Sequence, residues 1–454
     1  MKEFLQWIII VLLFMFSPGT ALADHAPWHP AKPMYEVVVE LERTQSPTTY
    51  APFLLSQVGV PSSDHQKRIN HIYMYAIVGF SVFLTADEIA VMEFLYDGGS
   101  LPGVRSFALA RDIGIPVLER ESLIPTRALH GHEQVIPTGI MRIGAQPAGN
   151  MGNVDVAVID TGVDSRHPDL NVVGGIDCIG KTTNGYTQDG VGHGTHVAGT
   201  IAARDNGLGV VGVAPGARIW SVRVLDNMGY GTWGSVLCGI DWVTKMADTI
   251  EVANMSLGGN GFVTACGEND PMHNAICFAS KRVIFVVAAG NDTDEVSGYS
   301  PANYKEAVTV SAFTDFDGQP GGIGLAPENR CAAMSVDDEL ASFSNYGKGV
   351  DIAAPGVCIL STLPGEPDAT GAYQPGYGYA SGTSMATPHV AGALARFLSE
   401  NPDQRQYAWE QVRIWSESHG SVERGDHDRF PEPLLYVGGK IPRHEAGPHD
   451  PPGS

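Results

Sequence analysis

The chain has 454 residues, 43% of them apolar and 17% charged, with 50 acidic against 28 basic side chains and a formal net charge of -22 at pH 7. That composition supports large buried cores and excludes a disordered polypeptide. The acidic balance argues against binding a phosphate backbone, and no run of about 18 apolar residues follows the N-terminus, so nucleic-acid and multi-span membrane classes drop out.

Lys2 opens a segment in which Trp7 to Phe16 are apolar without a break, followed by Ser17-Pro18-Gly19 and the small-residue pattern Ala21-Leu22-Ala23. Ten apolar residues are too few to cross about 30 Å of hydrocarbon, so residues 1–23 read as a signal peptide cut after Ala23. A secreted, extracellular product with no membrane attachment after cleavage follows. Export places the six cysteines (Cys178, Cys238, Cys266, Cys277, Cys331, Cys358) in an oxidising compartment, all beyond the first third of the chain. Fifteen pairings are open, and sequence alone does not choose among them. Proximity favours Cys266–Cys277 and Cys331–Cys358, leaving Cys178–Cys238. No C-x-x-C occurs to suggest a metal or redox role.

Between 35 and 110 come a strand-like Val37-Val38-Val39, a second apolar stretch from Ile72 to Leu84, and a helix opened by Thr85 with Glu88 three residues on. This predicts a small α/β unit within 24–111. Residues 112–133 hold Arg120, Arg127, Pro116 and Pro125 without periodicity, and read as an exposed, cleavable linker. From Val154 short apolar runs (Val154 to Ile159, Ile219 to Leu225, Val252 to Leu257, Val283 to Ala288, Ala307 to Ala312, Val350 to Ala354) alternate with helical segments at His193 to Ala203, Gly234 to Met246 and Asp270 to Ser280. The alternation predicts an α/β domain over 134–440: a doubly wound, mostly parallel sheet with helices on both faces and its chemistry at the carboxyl ends of the strands. After Pro431 the chain is rich in Pro, Gly and His and is expected to fray, with 441–454 a flexible tail.

Three segments carry chemistry. Asp160 ends the first run in Val158-Ile159-Asp160-Thr161-Gly162; an aspartic protease would need a second such motif to share a proton, and the chain has none. His193 lies in Gly192-His193-Gly194-Thr195-His196, without the glutamate of an H-E-x-x-H zinc site; His196 reads as a packed core histidine. Ser384, in Gly382-Thr383-Ser384-Met385-Ala386-Thr387-Pro388, precedes an apolar helix whose N-terminus stabilises negative charge, although an N-cap serine fits the same position.

Together these residues supply a nucleophile, a base and a carboxylate to orient the base, in the order Asp, His, Ser. On those motifs the chain resembles the subtilisin family of serine proteases from about Gln134 to Leu398, and more loosely to Lys440. The resemblance implies Asp160, His193 and Ser384 as triad and Asn291, in Val287-Ala288-Ala289-Gly290-Asn291, as oxyanion-hole donor. Asn291-Asp292-Thr293 is also a glycosylation sequon, but a glycan there would block the site.

Substrate binding would fall to Ser256, Leu257, Gly258 and Gly259, with Ala288, Ala289 and Gly290 as the facing wall. Tyr299 would stand near the pocket base, in a loop that looks proteinase K-like. These imply apolar or aromatic side chains before the scissile bond; Asp292, Asp294 and Glu295 keep a basic preference open. Structural calcium would be held by the side chains of Gln134, Asp169 and Asn206 and the carbonyls of Arg204, Leu208 and Val210, with no cofactor for catalysis.

Tyr35 to Leu109, with Gly79-Phe80-Ser81 and Pro102-Gly103-Val104, resembles the family's propeptide, which assists folding and inhibits its own enzyme until cut. The stretch from there to Pro137 is longer than in compact bacterial members, which leaves the mature N-terminus between about 112 and 133. The reading is a secreted, monomeric serine endopeptidase acting on polypeptides and made as a self-processing zymogen. The alternatives are a narrow processing protease selecting basic sites and an inactive peptide-binding scaffold. A neutral imidazole must act as base, so activity is expected to fall on acidification.

Overall fold

Seven parallel strands form the central sheet, in the order β13-β12-β11-β10-β6-β8-β7. They are β6 (Asp155–Asp160), β7 (Val172–Asp177), β8 (Arg218–Arg223), β10 (Val252–Met255), β11 (Ile284–Ala288), β12 (Val308–Phe313) and β13 (Ile352–Pro355). The computed structural model describes residues 33–115, 124–125, 134–145, 149–182, 184–327, 331, 335–421, 425, 428 and 430–438. Tyr35–Ser454 form one unit, and of the unit Met1–Met34 only 33 and 34 are described. The proposed signal segment and the tail 441–454 therefore lie outside the described residues.

Alternate residues of each strand point to opposite faces, and both faces of this sheet are covered. Val156 and Val158 join a core with Val197 and Ile201 of α3 (His193–Ala202), Val390 and Leu394 of α6 (Thr383–Glu400) and Val412 of α7 (Ala408–Glu417). Ala157 and Ile159 face the other core, with Val236 and Ile240 of α4 (Trp233–Lys245) and Ala275 and Ile276 of α5 (Pro271–Ala279). Three disulfides, Cys178–Cys238, Cys266–Cys277 and Cys331–Cys358, tie loops to this frame.

Before the sheet stands an antiparallel one of order β2-β3-β1-β4, made of β1 (Met34–Leu41), β2 (Ile69–Tyr73), β3 (Gly79–Thr85) and β4 (Val104–Leu109). It carries α1 (Pro47–Gln57) and α2 (Ala86–Asp97), and Thr85 and Glu88 close a capping box at the start of α2. These elements have their own core, including Val37, Val39, Leu54, Phe80 and Leu84. The opposite face lies on α4 and α5: Val38, Tyr73, Ala76 and Ile77 are buried with the residues of those helices.

Three differences from the sequence reading have physical causes. Residues 112–115, read as the start of an exposed linker, include β5 (Asp112–Gly114), antiparallel to β9 (Tyr230–Thr232), with Ile113 and Ile115 buried. That pairing is with residues more than a hundred positions away, which local pattern cannot reveal. The hairpin of β14 (Ile359–Pro367) and β15 (Tyr373–Ala380) was hidden by Pro364, Gly365, Gly376 and Gly378. Residues near Leu435, expected to fray, are held where Leu434 bridges Ala353 at the sheet edge, with Leu435 and Val437 buried.

Gly199 shows how tight the frame is. A Cβ there would collide with the hydroxyls of Ser361 and Thr362 on β14, which donate to the α3 carbonyls of His196 and Thr195 at 2.7 Å each. Helix propensity alone favours alanine over glycine by about 1 kcal/mol. Overpacking outweighs it, so Gly199→Ala is expected to lower unfolding free energy by about 1–3 kcal/mol in urea titration; a gain in stability would show that β14 yields.

Candidate active site

In a parallel sheet neighbouring strands end on the same edge. β6 ends at Asp160, β10 leads into Ser256 and β11 into Ala289-Gly290-Asn291, so three segments distant in sequence meet there. α3 begins at His193 and packs against α6, whose first turn carries Ser384. A Cβ on Gly194 would strike the Gly162 carbonyl, so glycine at this position lets the start of α3 approach the end of β6.

His193 Nδ1 lies 2.8 Å from Asp160 Oδ1 and 3.0 Å from Oδ2, with both residues fully buried. A carboxylate accepts, so Nδ1 is the protonated nitrogen and Nε2 the basic one. The Ser384 hydroxyl donates to the Ser256 carbonyl at 3.1 Å, and the Ser256 hydroxyl donates to the Ser384 carbonyl at 2.9 Å. The Asn291 Oδ1 accepts from the Thr383 N–H and hydroxyl, both at 2.9 Å, which fixes Nδ2 as the donor end of that amide. His196 is buried with Nε2 2.9 Å from the Ile359 carbonyl, and burial holds its imidazole down at about 3, neutral as a core group should be.

A cavity of about 270 Å³ opens beside Ser384. Leu257, Gly258 and Gly259 form one wall and Ala288, Ala289 and Gly290 the other, with Tyr299 and Asp292 also lining it. Burial first, and then the carboxylates of Asp292 and Asp294, push the Tyr299 phenol up to about 12. β5 runs along the cleft: Asp112 to Gly114 pair with β9, and Gly114 bridges Gly258 antiparallel.

The residues named for calcium also converge. Gln134 Nε2 donates to the Arg204 and Val210 carbonyls (2.6 and 3.1 Å), Asn206 Nδ2 to Asp169 Oδ1 (2.9 Å), and the Leu208 N–H to Asn206 Oδ1 (2.9 Å). The Tyr377 hydroxyl donates to Asp169 Oδ2 at 2.7 Å, and a Cβ on Gly209 would fill the space beside that carboxylate. The amide nitrogens of Gln134 and Asn206 thus face these oxygens while their own oxygens accept the Gly207 and Leu208 N–H groups. Turning both amides over presents carboxylate, amide and carbonyl oxygens around one loop, a donor set that fits a hard cation.

Sequence reasoning missed Asp189. Its Oδ1 accepts from the Thr161 hydroxyl (2.8 Å) and the Gly192 N–H (2.8 Å), and its Oδ2 from the Thr195 N–H (2.8 Å) and hydroxyl (2.7 Å). Thr161 in turn donates its N–H to Asp160 at 2.7 Å. Burial pushes the Asp189 carboxyl above the usual carboxylate range, and these donors oppose the shift. The available signal was an aspartate four residues ahead of His193, at the mouth of a helix.

A family model described as the subtilase family matches residues 152–421. The chain is 40% identical over 302 residues to subtilisin E of Bacillus subtilis (strain 168), spanning 65% of this chain and 68% of that protein. Against the subtilisin of Bacillus pumilus it is 42% identical over 277 residues, 59% of this chain and 86% of the relative. A crystal structure of a cold adapted subtilisin-like serine proteinase superposes with a TM-score of 0.50 at 32% identity, covering 66% of this chain and 97% of the other.

Asp189→Asn turns one acceptor into a donor facing a donor and frees the turn that carries His193. It is expected to lower kcat by about a hundredfold, with KM little changed, because a small displacement of His193 suffices. Stopped-flow or steady-state kinetics on a folded variant would check this; an unchanged kcat would show that Asp189 only stabilises the loop.

Proposed function

The chain belongs to the subtilase family of serine endopeptidases, and from that premise we propose that Asp160, His193 and Ser384 are its triad and Asn291 its oxyanion donor. The observation that carries this reading is the 2.8 Å contact between fully buried Asp160 and His193 on the sheet edge that also holds Ser384. Asp160 holds the Nδ1–H, so Nε2 accepts the Ser384 proton as Oγ attacks the peptide carbonyl. The oxyanion takes donors from Asn291 Nδ2 and the N-terminus of α6. The imidazolium then protonates the departing amine, and water repeats the sequence on the acyl-enzyme. As a subtilisin-like peptidase the chain needs no cofactor for this.

We further propose that it is exported after removal of 1–23, acts as a monomer on polypeptides, and is made as a zymogen in which 24–111 is inhibitor and folding aid and 112–133 is cut. Among the described residues no helix is long and apolar enough to cross a membrane. The contacts between the N-terminal elements and the body support the zymogen reading. Asp241 of α4 accepts the N–H groups of Met74, Tyr75 and Ala76 (2.6 to 3.1 Å). Glu36 accepts the Thr232 hydroxyl and Glu40 the Asn274 amide, beside the starts of α4 and α5. β5 meanwhile occupies the cleft as a peptide would.

Ala288, Ala289 and Gly290 favour apolar or aromatic side chains before the scissile bond, in keeping with the proteinase K-like loop at Tyr299. Asp292 on the cavity wall favours a second reading, selection of basic residues. Calcium would be held by Gln134, Asp169, Asn206 and the carbonyls of Arg204, Leu208 and Val210, and would supply a structural tie at this loop.

Wild-type protein is expected to react with a serine-directed phosphonate, whereas Ser384→Ala is unlabelled and accumulates uncut; mass spectrometry reads both. A labelled Ser384→Ala chain would overturn the triad. Chelation is expected to lower the melting temperature by about 5–10 °C when calcium had been present at about a hundredfold its Kd. Asp169→Ala should abolish that difference, and a chelator effect unchanged in the variant would place the ion elsewhere.

A further inference from the structure

Arg111, just before β5, is held by two aromatic rings. Its guanidinium carbon lies 4.8 Å from the centroid of the Trp233 ring and 4.9 Å from that of Phe262, and its Nη1 donates to the Asn260 carbonyl at 3.3 Å. The backbone is fixed at the same place, because the Arg111 carbonyl accepts the Trp233 N–H at 3.0 Å. Trp233 is 4% exposed, anchored in the first turn of α4 behind the Thr232 cap. Phe262 is 71% exposed and contributes nothing to either core of the body. An exposed phenylalanine facing a fixed tryptophan across a guanidinium is the arrangement that a cation–π clamp requires.

The register of β5 gives this clamp an address along a substrate. Gly114 bridges Gly258 antiparallel, its N–H directed at the Gly258 carbonyl. In that register a peptide residue two positions further on falls opposite Ser256, whose carbonyl receives the Ser384 hydroxyl. The residue opposite Ser256 therefore presents the carbonyl to be attacked and is the first before the scissile bond. Gly114 then holds the third place, Ile113 the fourth and Arg111 the sixth. Residues 111, 113 and 115 share a face of the extended chain: Ile113 and Ile115 are buried, Arg111 is half-buried and Asp112 between them is exposed.

We propose that Trp233, Phe262 and the Asn260 carbonyl form a subsite for a cationic side chain, arginine above lysine, at the sixth residue before the scissile bond. The inference rests on the endopeptidase reading and on β5 lying where substrate lies. It extends recognition well beyond the pocket next to Ser384 and selects polypeptides with a basic residue at one upstream position. A planar guanidinium stacks on both rings while its edge reaches the carbonyl; an ammonium makes only part of these contacts.

The test uses active enzyme from the expressed full chain and synthetic peptides identical except for one residue, Arg, Lys or Ala at the sixth place before the cleaved bond. Matched peptides carry Arg at the seventh place instead. kcat/KM is expected to favour Arg over Ala roughly five- to tenfold at the sixth place, mainly through KM, with Lys between. The same Arg at the seventh place should give little gain, and the sixth-place preference should persist at about 0.5 M salt, where the long-range attraction of an acidic protein is screened. In Phe262→Ala, an exposed position, the Arg-to-Ala ratio should fall toward one. A ratio near one in the wild type, an equal gain at the seventh place, or a ratio unmoved by Phe262→Ala overturns the clamp while leaving the endopeptidase reading intact. Failure to hydrolyse any of the peptides overturns both.

Discussion

A buried carboxylate facing a buried imidazole is costly unless every lone pair meets a donor, and the arrangement at the centre of this molecule follows from that constraint. Asp160 Oδ1 accepts from His193 Nδ1 and from the Thr161 N–H, and Oδ2 lies 3.0 Å from the same imidazole nitrogen. The Thr161 hydroxyl reaches Asp189, and Asp189 takes the N–H groups of Gly192 and Thr195 in the first turn of α3. A closed ring of hydrogen bonds thus joins the end of β6 to the start of the helix that carries His193. The ring needs a small residue where the two segments touch, which Gly194 supplies, and a left-handed backbone just before α3, which Gly192 supplies at φ 95°. Displacing any member leaves a charged atom in a site that water does not reach.

The same sheet edge explains why the other groups gather where they do. Only parallel strands place Asp160, Ser256 and Asn291 side by side, because each strand leaves the sheet in the same direction. Ser256 joins the strand end to α6, exchanging hydrogen bonds with Ser384 through both hydroxyls. Asn291 is aligned by Thr383, the neighbour of Ser384, so on the proposed reading the two partners of a developing oxyanion are positioned by one turn of backbone.

How much of this was legible in the sequence depended on the range of each interaction. Asp160, His193 and Ser384 sit in short runs of small residues that announce a close approach, and most of the buried strands read as short, largely apolar stretches. β7 escaped notice because it is half-exposed and carries Gly174 and Gly175. Asp189 and Asp241 look like ordinary surface acids in sequence; their function lies in backbone N–H groups that only folding brings to them. β5 was unreadable for the same reason, since its strand character comes from Tyr230 to Thr232 and Gly258 and not from its own residues. The acidic balance is likewise partly spent inside, on Asp160, Asp169, Asp189 and Asp241.

On the zymogen reading, the N-terminal unit must bind firmly and still be removable, and the kind of contact it makes reconciles the two. Val38, Tyr73, Ala76, Ile77, Ile113 and Ile115 complete a core with α4 and α5, so separation exposes apolar surface on both sides. The charged contacts are shared out: Glu36 and Glu40 come from the unit, Asp241 from the body, and each can return to water when the two part. While the chain is continuous, β5 is held in the cleft intramolecularly, at an effective concentration on the order of millimolar. Cutting the connection leaves every contact in place but makes rebinding bimolecular, so inhibition then depends on the unit's own concentration and integrity. A unit with a small core of its own, separate from that of the body, can be unfolded and degraded without disturbing the sheet that holds Asp160.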